Sequence, residues 1–201
     1  MGEREMCVGQ SYVWYVGYGS NLCEERFLCY IRGGRFKWGG CNAAGCTDQS
    51  LPEGNKSFWI PYRLYFAKES SSWECKGVAF ITPNKESNEN KWTMGRMWKI
   101  TNEQCEQIRN QEGPSWYNHK ISLGEENGFP ILTTTNATIL TPYKRPSGGY
   151  LKTIALGLKE TDNWSNEKIF QYLKGKEGVN SQIDEDELIE IIDSTTASNS
   201  G

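Results

Sequence analysis

The chain has 201 residues, 37% of them hydrophobic and 12% aromatic, enough apolar material for a globular core and too much for a disordered chain. Its formal charge is −3, with Lys and Arg scattered and no long basic run, which argues against a nucleic-acid partner. No apolar stretch approaches the ~20 residues of a membrane-spanning helix, and the opening MGEREMCVGQ has no signal-peptide core, so a cytoplasmic protein without membrane partners is expected.

Tyr12–Val16 reads as a buried strand that runs into Gly17-Tyr18-Gly19-Ser20-Asn21-Leu22, and a helical pattern follows from Cys23 to about Arg32. Residues 33–57 are rich in Gly, Asn, Asp and Ser and have no sustained periodicity. A connection of that length is either functional, for instance lying over a substrate opening, or a plain surface loop. Phe58–Ala67 predicts a strand that Pro61 interrupts, and strands follow at about Lys76–Thr82 and Trp92–Ile100. Thr101 and Gln104 have the spacing of a capping box, opening a helix to about Asn110 that Gly113-Pro114 stops. Tyr117–Leu123 and Ile131–Leu140 read as two more strands, the second interrupted by Asn136. Helices are expected at about Tyr150–Lys159, Asn166–Lys174 and Asp184–Asp193, and disorder from Ser194 to Gly201. The pattern gives an α+β fold and a single domain over 1–193, with a core at about 12–172 and a helical extension at about 183–193.

The seven cysteines (Cys7, Cys23, Cys29, Cys41, Cys46, Cys75 and Cys105) are odd in number and irregularly spaced, and read as reduced thiols. Only Cys41 and Cys46 are close enough to suggest a metal. With His119 the sole histidine and no second cysteine pair, no zinc site is predicted. The eight tryptophans suit either a core or a pocket lined with flat side chains.

The strand, glycine-rich turn and helix near the N-terminus form an arrangement able to bind an anion. The N–H groups of the turn and first helical turn lack helical partners and point along the positive end of the dipole. Ser20 or Asn21 is the expected N-cap, with Glu24 and Glu25 suited to the first turn. Read alone, the same segment is equally an ordinary strand-to-helix connection.

Taken with Asn110-Gln111-Glu112-Gly113, the Tyr18–Leu22 segment resembles the γ-glutamylcyclotransferase family. The likeness extends through Lys76–Ile81, Gly95–Ile100 and Pro146–Lys152, and spans roughly Tyr12 to Tyr172. Gly17 stands where many members carry alanine, a mild change, while shorter members lack much of the 33–57 region. The resemblance implies a small closed or nearly closed mixed β-barrel surrounded by helices. It also implies that a γ-glutamyl compound is cyclised to 5-oxoproline with release of its amine, with no metal or cofactor. Glu112 is then the general acid/base. Gly19, Ser20, Asn21 and Leu22 supply a backbone cradle, and Tyr18, Tyr117 and Tyr150 stand near the substrate. Tyr18 is equally readable as a core residue, and ordinary packing is the alternative reading of Tyr117 and Tyr150.

The resemblance leaves two competing readings. One is a non-catalytic binding module on the same fold. The other is a cysteine amidase or acyltransferase, with Cys23 as nucleophile at a helix start and His119 as base.

Overall fold

The computed structural model describes residues 11–40 and 42–195. Cys7, Cys41 with its suggested metal pairing, and the expected disordered tail beyond 195 lie outside them. Ser194 and Thr195 are described, and they correct the start of that tail. Both continue the last helix as a turn, and the buried Thr195 hydroxyl accepts from Lys159 Nζ at 2.5 Å.

Six strands form one mixed sheet: β1 (Tyr12–Gly17), β2 (Gly54–Ser70), β3 (Lys76–Ile81), β4 (Trp92–Thr101), β5 (His119–Glu126) and β6 (Phe129–Thr135). Their order is β3-β2-β4-β1-β6-β5, with β1 and β6 parallel and the other pairs antiparallel. Around them stand α1 (Glu24–Arg32), α2 (Asn102–Glu112), α3 (Gly148–Asp162), α4 (Asn166–Leu173) and α5 (Glu185–Asp193).

Strand β2 is where the sheet curls. Its first half pairs with β4 and its second with β3, and the register shifts between Ile60 and Arg63, around Pro61, which has no N–H to give a ladder. The curl brings β3 back toward β6, with three strands between them in the sheet order. There the Thr135 hydroxyl donates to the carbonyl of Ile81 at 2.6 Å and accepts its N–H at 3.2 Å. This side-chain bridge replaces a ladder. No strand pairing joins the two edges among the described residues, so the expected barrel is a curled, open sheet.

Several boundaries differ from those read in the sequence, each for a local reason. Strand β6 stops at Thr135 because Asn136 turns the chain, its Oδ1 accepting from the N–H of Thr138. Strand β5 starts at His119, since the N–H groups of Trp116 and Tyr117 both bond the carbonyl of Gly113 in a turn. Neither Ser20 nor Asn21 caps a helix. Ser20–Leu22 is itself a short 3-10 turn, and Cys23 is the N-cap of α1. The predicted capping box of α2 is present in both directions.

Alternation along β1 sends Val13 and Tyr15 into a cluster with Phe27 of α1 and Ile108 of α2, and Trp14 and Val16 into the larger core beneath α3. The irregular 33–53 segment is tied down rather than loose. Gln104 Nε2 donates to the carbonyls of Asp48 and Ser50, and Gln111 Nε2 to those of Tyr30 and Gly45. No helix is long and apolar enough to cross a membrane among the described residues.

Candidate active site

Because β1 alternates, Tyr15 points at α2. On α2, Cys105, Ile108 and Glu112 lie on one face at spacings of three and four, so the stripe that buries two apolar residues also delivers the last residue's carboxylate inward. Gly113, at φ 92°, ends the helix immediately afterwards. The Tyr15 hydroxyl donates to Glu112, 2.7 Å from each carboxylate oxygen, and Asn21 Nδ2 donates to Glu112 Oε1 at 2.5 Å. Sequence reading singled out Glu112, and Asn21 for its backbone, but not Tyr15, which looks like any strand residue until the register shows where it points.

Burial is the largest influence on Glu112 and pushes its carboxyl above the usual range, while the hydrogen bonds from Tyr15 and Asn21 pull it part of the way back. Its place at the negative end of α2 acts in the same direction as burial. The Asn21 amide orientation follows from this arrangement, because its Nδ2 must face the carboxylate. That leaves Asn21 Oδ1 buried with no hydrogen-bond partner among the described residues, an acceptor beside the carboxylate.

The loop that carries Asn21 is braced from β4. Trp98 Nε1 donates to the carbonyl of Asn21 at 3.1 Å, and Arg96 Nη1 to that of Leu22 at 3.2 Å. Phe27 stacks on Trp98, with centroids 4.5 Å apart, and locks α1 over the same loop. Leu22 does not join the cavity wall. It is fully buried, and its N–H is taken by the carbonyl of Gly19 at 3.1 Å, because the segment closes as a 3-10 turn. Among the described residues, no turn or loop bond pairs the N–H of Gly19, Ser20 or Asn21 with a backbone carbonyl, and the Ser20 backbone N–H bonds the Tyr150 hydroxyl.

Glycine is needed here for space. A Cβ on Gly19 would lie 2.6 Å from the Tyr150 hydroxyl, and one on Gly17 would lie 2.6 Å from the Cβ of Asn21. The glycine at 17, read above as a mild change, therefore sets how closely Asn21 approaches β1.

Glu112, Gly19, Ser20 and Asn21 line one cavity of about 130 Å³, together with Tyr18, Tyr117 and Tyr150. The Tyr18 hydroxyl donates to the carbonyl of Thr134 at 2.8 Å, and that of Tyr117 to the carbonyl of Ala79 at 3.0 Å, so both rings serve as walls. The Tyr150 hydroxyl accepts the N–H of Ala79 at 3.1 Å and also lies against Ser20. Trp73 and Trp116 also line the cavity, and Arg26 is the sole basic residue among its described lining residues. Arg26 is nearly fully buried, donates to the Tyr30 hydroxyl at 2.8 Å, and is one of the charges that lower the Glu112 carboxyl. No described residue of 33–57 is among those that line the cavity. Gly39 and Gly40 back Trp73 and Arg26 from behind.

Cys23 and His119 are both outside the cavity. Burial pushes the Cys23 thiol up to about 12, the reverse of what a nucleophilic thiolate needs.

The open curled sheet with its surrounding helices is a fold known from solved structures. Two solved structures share it: one named gamma-glutamyl cyclotransferase (TM-score 0.56, 20% identity) and an uncharacterised protein from Homo sapiens (TM-score 0.56, 21% identity). Each alignment covers 92% of this chain and 99% of the other. In sequence, the chain is 30% identical over 200 residues to histone deacetylase 5 of Arabidopsis thaliana, a match covering 80% of this chain and 30% of that protein. The chain therefore spans about a third of the length of that relative. No family model matches it.

Proposed function

We propose that the chain belongs to the γ-glutamylcyclotransferase family and cyclises a γ-glutamyl compound to 5-oxoproline, releasing the attached amine or amino acid. The observation that supports this most is the meeting of Glu112 with the Gly19–Asn21 loop in one cavity, its carboxylate fixed by Tyr15 and Asn21.

The substrate's own α-amine attacks its γ-carbonyl, so the enzyme must remove a proton, steady an oxyanion and hold the chain folded. Glu112 takes the proton from the α-ammonium and returns it to the leaving amine, and its raised pKa suits both halves of that transfer. The free acceptor of Asn21, Oδ1, receives an N–H of the same ammonium. The N–H groups of Gly19 and Asn21 meet the developing oxyanion, with Leu22 excluded because its N–H is already bonded. Arg26 provides the positive charge that draws the substrate's carboxylate into the cavity. Tyr18, Tyr117, Tyr150 and Trp73 form walls that favour the bent conformer, a proximity effect that can contribute several kcal/mol.

The test is incubation with a panel of γ-glutamyl dipeptides and γ-glutamylamines, followed by assay for 5-oxoproline. Product from at least one member, lost in Glu112→Gln, is the expected result. No product from any member, with binding retained, would replace this reading with that of a binding module.

A further inference from the structure

A second cavity, of about 390 Å³, opens between the bend of β2, the 3-10 turn before β4 and the end of α4, and it shares no lining residue with the first. Its charged lining consists of Arg63, Lys91, Lys176 and a single acid, Glu177, an excess of two positive charges in a chain whose net charge is negative. Such an excess on a concave wall repels its own members unless an anion joins them.

The cations are also short of acceptors. After α4 ends at Leu173, the N–H of Lys176 bonds back to the carbonyl of Leu173, and the turn lays the side chain over Tyr172. Lys176 is 93% buried, with Nζ 4.2 Å from the centre of the Tyr172 ring, and that ammonium has no hydrogen-bond acceptor among the described residues. Arg63 Nε is buried without a partner, and its Nη1 reaches Glu177 Oε1 only at 3.4 Å. A ring face attracts an ammonium but accepts none of its three hydrogen bonds in the way an oxygen does. Two cationic donors at one cavity, both without full acceptors, define what is missing: oxygen atoms carrying negative charge.

We propose that this cavity binds a dianionic oxyanion, a phosphate group either free or carried by a small metabolite, with Lys176 and Arg63 as donors and Lys91 at the rim. A dianion neutralises the excess of two charges, whereas a carboxylate leaves one uncompensated. Arginine and lysine together suit phosphate, the guanidinium giving directed donors and the ammonium a movable point charge. In the same direction, burial holds the Lys176 ammonium down to about 8, with the Glu177 carboxylate opposing that shift only in part and Arg63 adding to it.

The experiment is titration of the whole chain with inorganic phosphate at constant ionic strength, followed by amide chemical shifts and thermal midpoint, with chloride and glutamate as parallel arms. A phosphomonoester such as glycerol phosphate forms a fourth arm that separates free from esterified phosphate. Saturable phosphate binding is expected, with shifts centred on residues 63, 91 and 172–177. Affinity should fall at least tenfold in Lys176→Met and in Arg63→Gln, and stay unchanged in Glu112→Gln. Tighter binding of the ester identifies a phosphorylated metabolite, and equal binding identifies the phosphate group alone; both support the proposal. Three results would overturn it: no saturation by millimolar phosphate, affinity unaltered in both cavity variants, or glutamate binding as tightly as phosphate. Should Lys176→Met fail to fold, Arg63→Gln decides alone.

Discussion

Glu112 and Lys176 are both charged side chains drawn out of bulk water, one at each cavity, and the protein treats them in opposite ways. Glu112 is met by two donors from its own chain, so its burial penalty is partly offset before any ligand arrives. Lys176 is met by an aromatic face, an open cavity and the field of one carboxylate, Glu177, that it shares with Arg63. The first arrangement suits a group that must gain and lose a proton during a reaction. Its hydrogen bonds fix where the carboxylate points while burial keeps the two protonation states close in energy. The second suits a group whose counter-charge comes from outside. On the two proposals made above, the comparison sets a site for chemistry against one for capture, and each of its halves can be broken independently.

The largest effect is expected at Glu112. Glutamine preserves the size of the side chain and its contact with Tyr15 but cannot take a proton, so Glu112→Gln should lower turnover by about 10²–10⁴ with the thermal midpoint nearly unchanged. Turnover within about threefold of the unaltered protein would remove Glu112 from the mechanism, and with it the catalytic half of the comparison.

A smaller change should sharpen the role of the donors. In the proposed mechanism deprotonation activates Glu112, so kcat/KM should fall as pH drops through its raised pKa. Tyr15 stabilises the charged carboxylate, so removing its hydroxyl in Tyr15→Phe should raise that pKa further and move the acidic limb to higher pH. In Glu112→Gln any residual rate should lack the limb. A limb that stays in place in Tyr15→Phe would show that the phenol supports only packing, and one that survives in Glu112→Gln would assign the ionisation to another group.

Much of the fold was legible because short-range rules govern it. The capping box at Thr101, the stop at Gly113 and the three C-terminal helices follow from local chemistry, and the structure has them within a few residues of where they were read. The curl of the sheet was only half legible. Pro61 marked an interruption, but the exchange of partners across it, and the bridge from Thr135 to Ile81, depend on strands far apart in sequence. At the site, Glu112 and the Gly19–Asn21 loop were accessible through a resemblance. Leu22 was wrongly grouped with the cradle because a 3-10 turn and an open loop have the same residues. Tyr15 and Arg26 were missed because nothing in their neighbours distinguishes a strand tyrosine or a helical arginine that faces a cavity from one that faces a core. The cavity at Lys176 draws on β2, a turn before β4 and the end of α4, and no contiguous segment carries its pattern.

The smallest expected effect is on stability, and it tests the other half of the comparison. Burial holds Lys176 at about 8 against an ordinary 10.5, so below pH 8 the lysine is charged in folded and unfolded chains alike and its desolvation cost is fully present. Between about 8 and 10.5 the unfolded chain holds a proton that the folded one has released, and folding stability rises with pH. Methionine fits the same channel, keeps a favourable contact with the Tyr172 ring and carries no charge. Lys176→Met should therefore be more stable than the unaltered protein at pH 7, by an amount on the order of 1–3 kcal/mol. That gain should shrink as pH approaches 10.5. Ionisation of tyrosines in the unfolded chain acts equally on both proteins and cancels in the difference. Adding phosphate at pH 7 should also shrink the gain, because a bound dianion supplies the counter-charge that the lysine lacks and stabilises only the unaltered chain. Denaturant unfolding of both proteins across this pH range, with and without phosphate, measures all three trends. A variant less stable at pH 7, or a gain indifferent to both pH and phosphate, would mean that the lysine is already compensated within the fold, and the contrast with Glu112 would collapse.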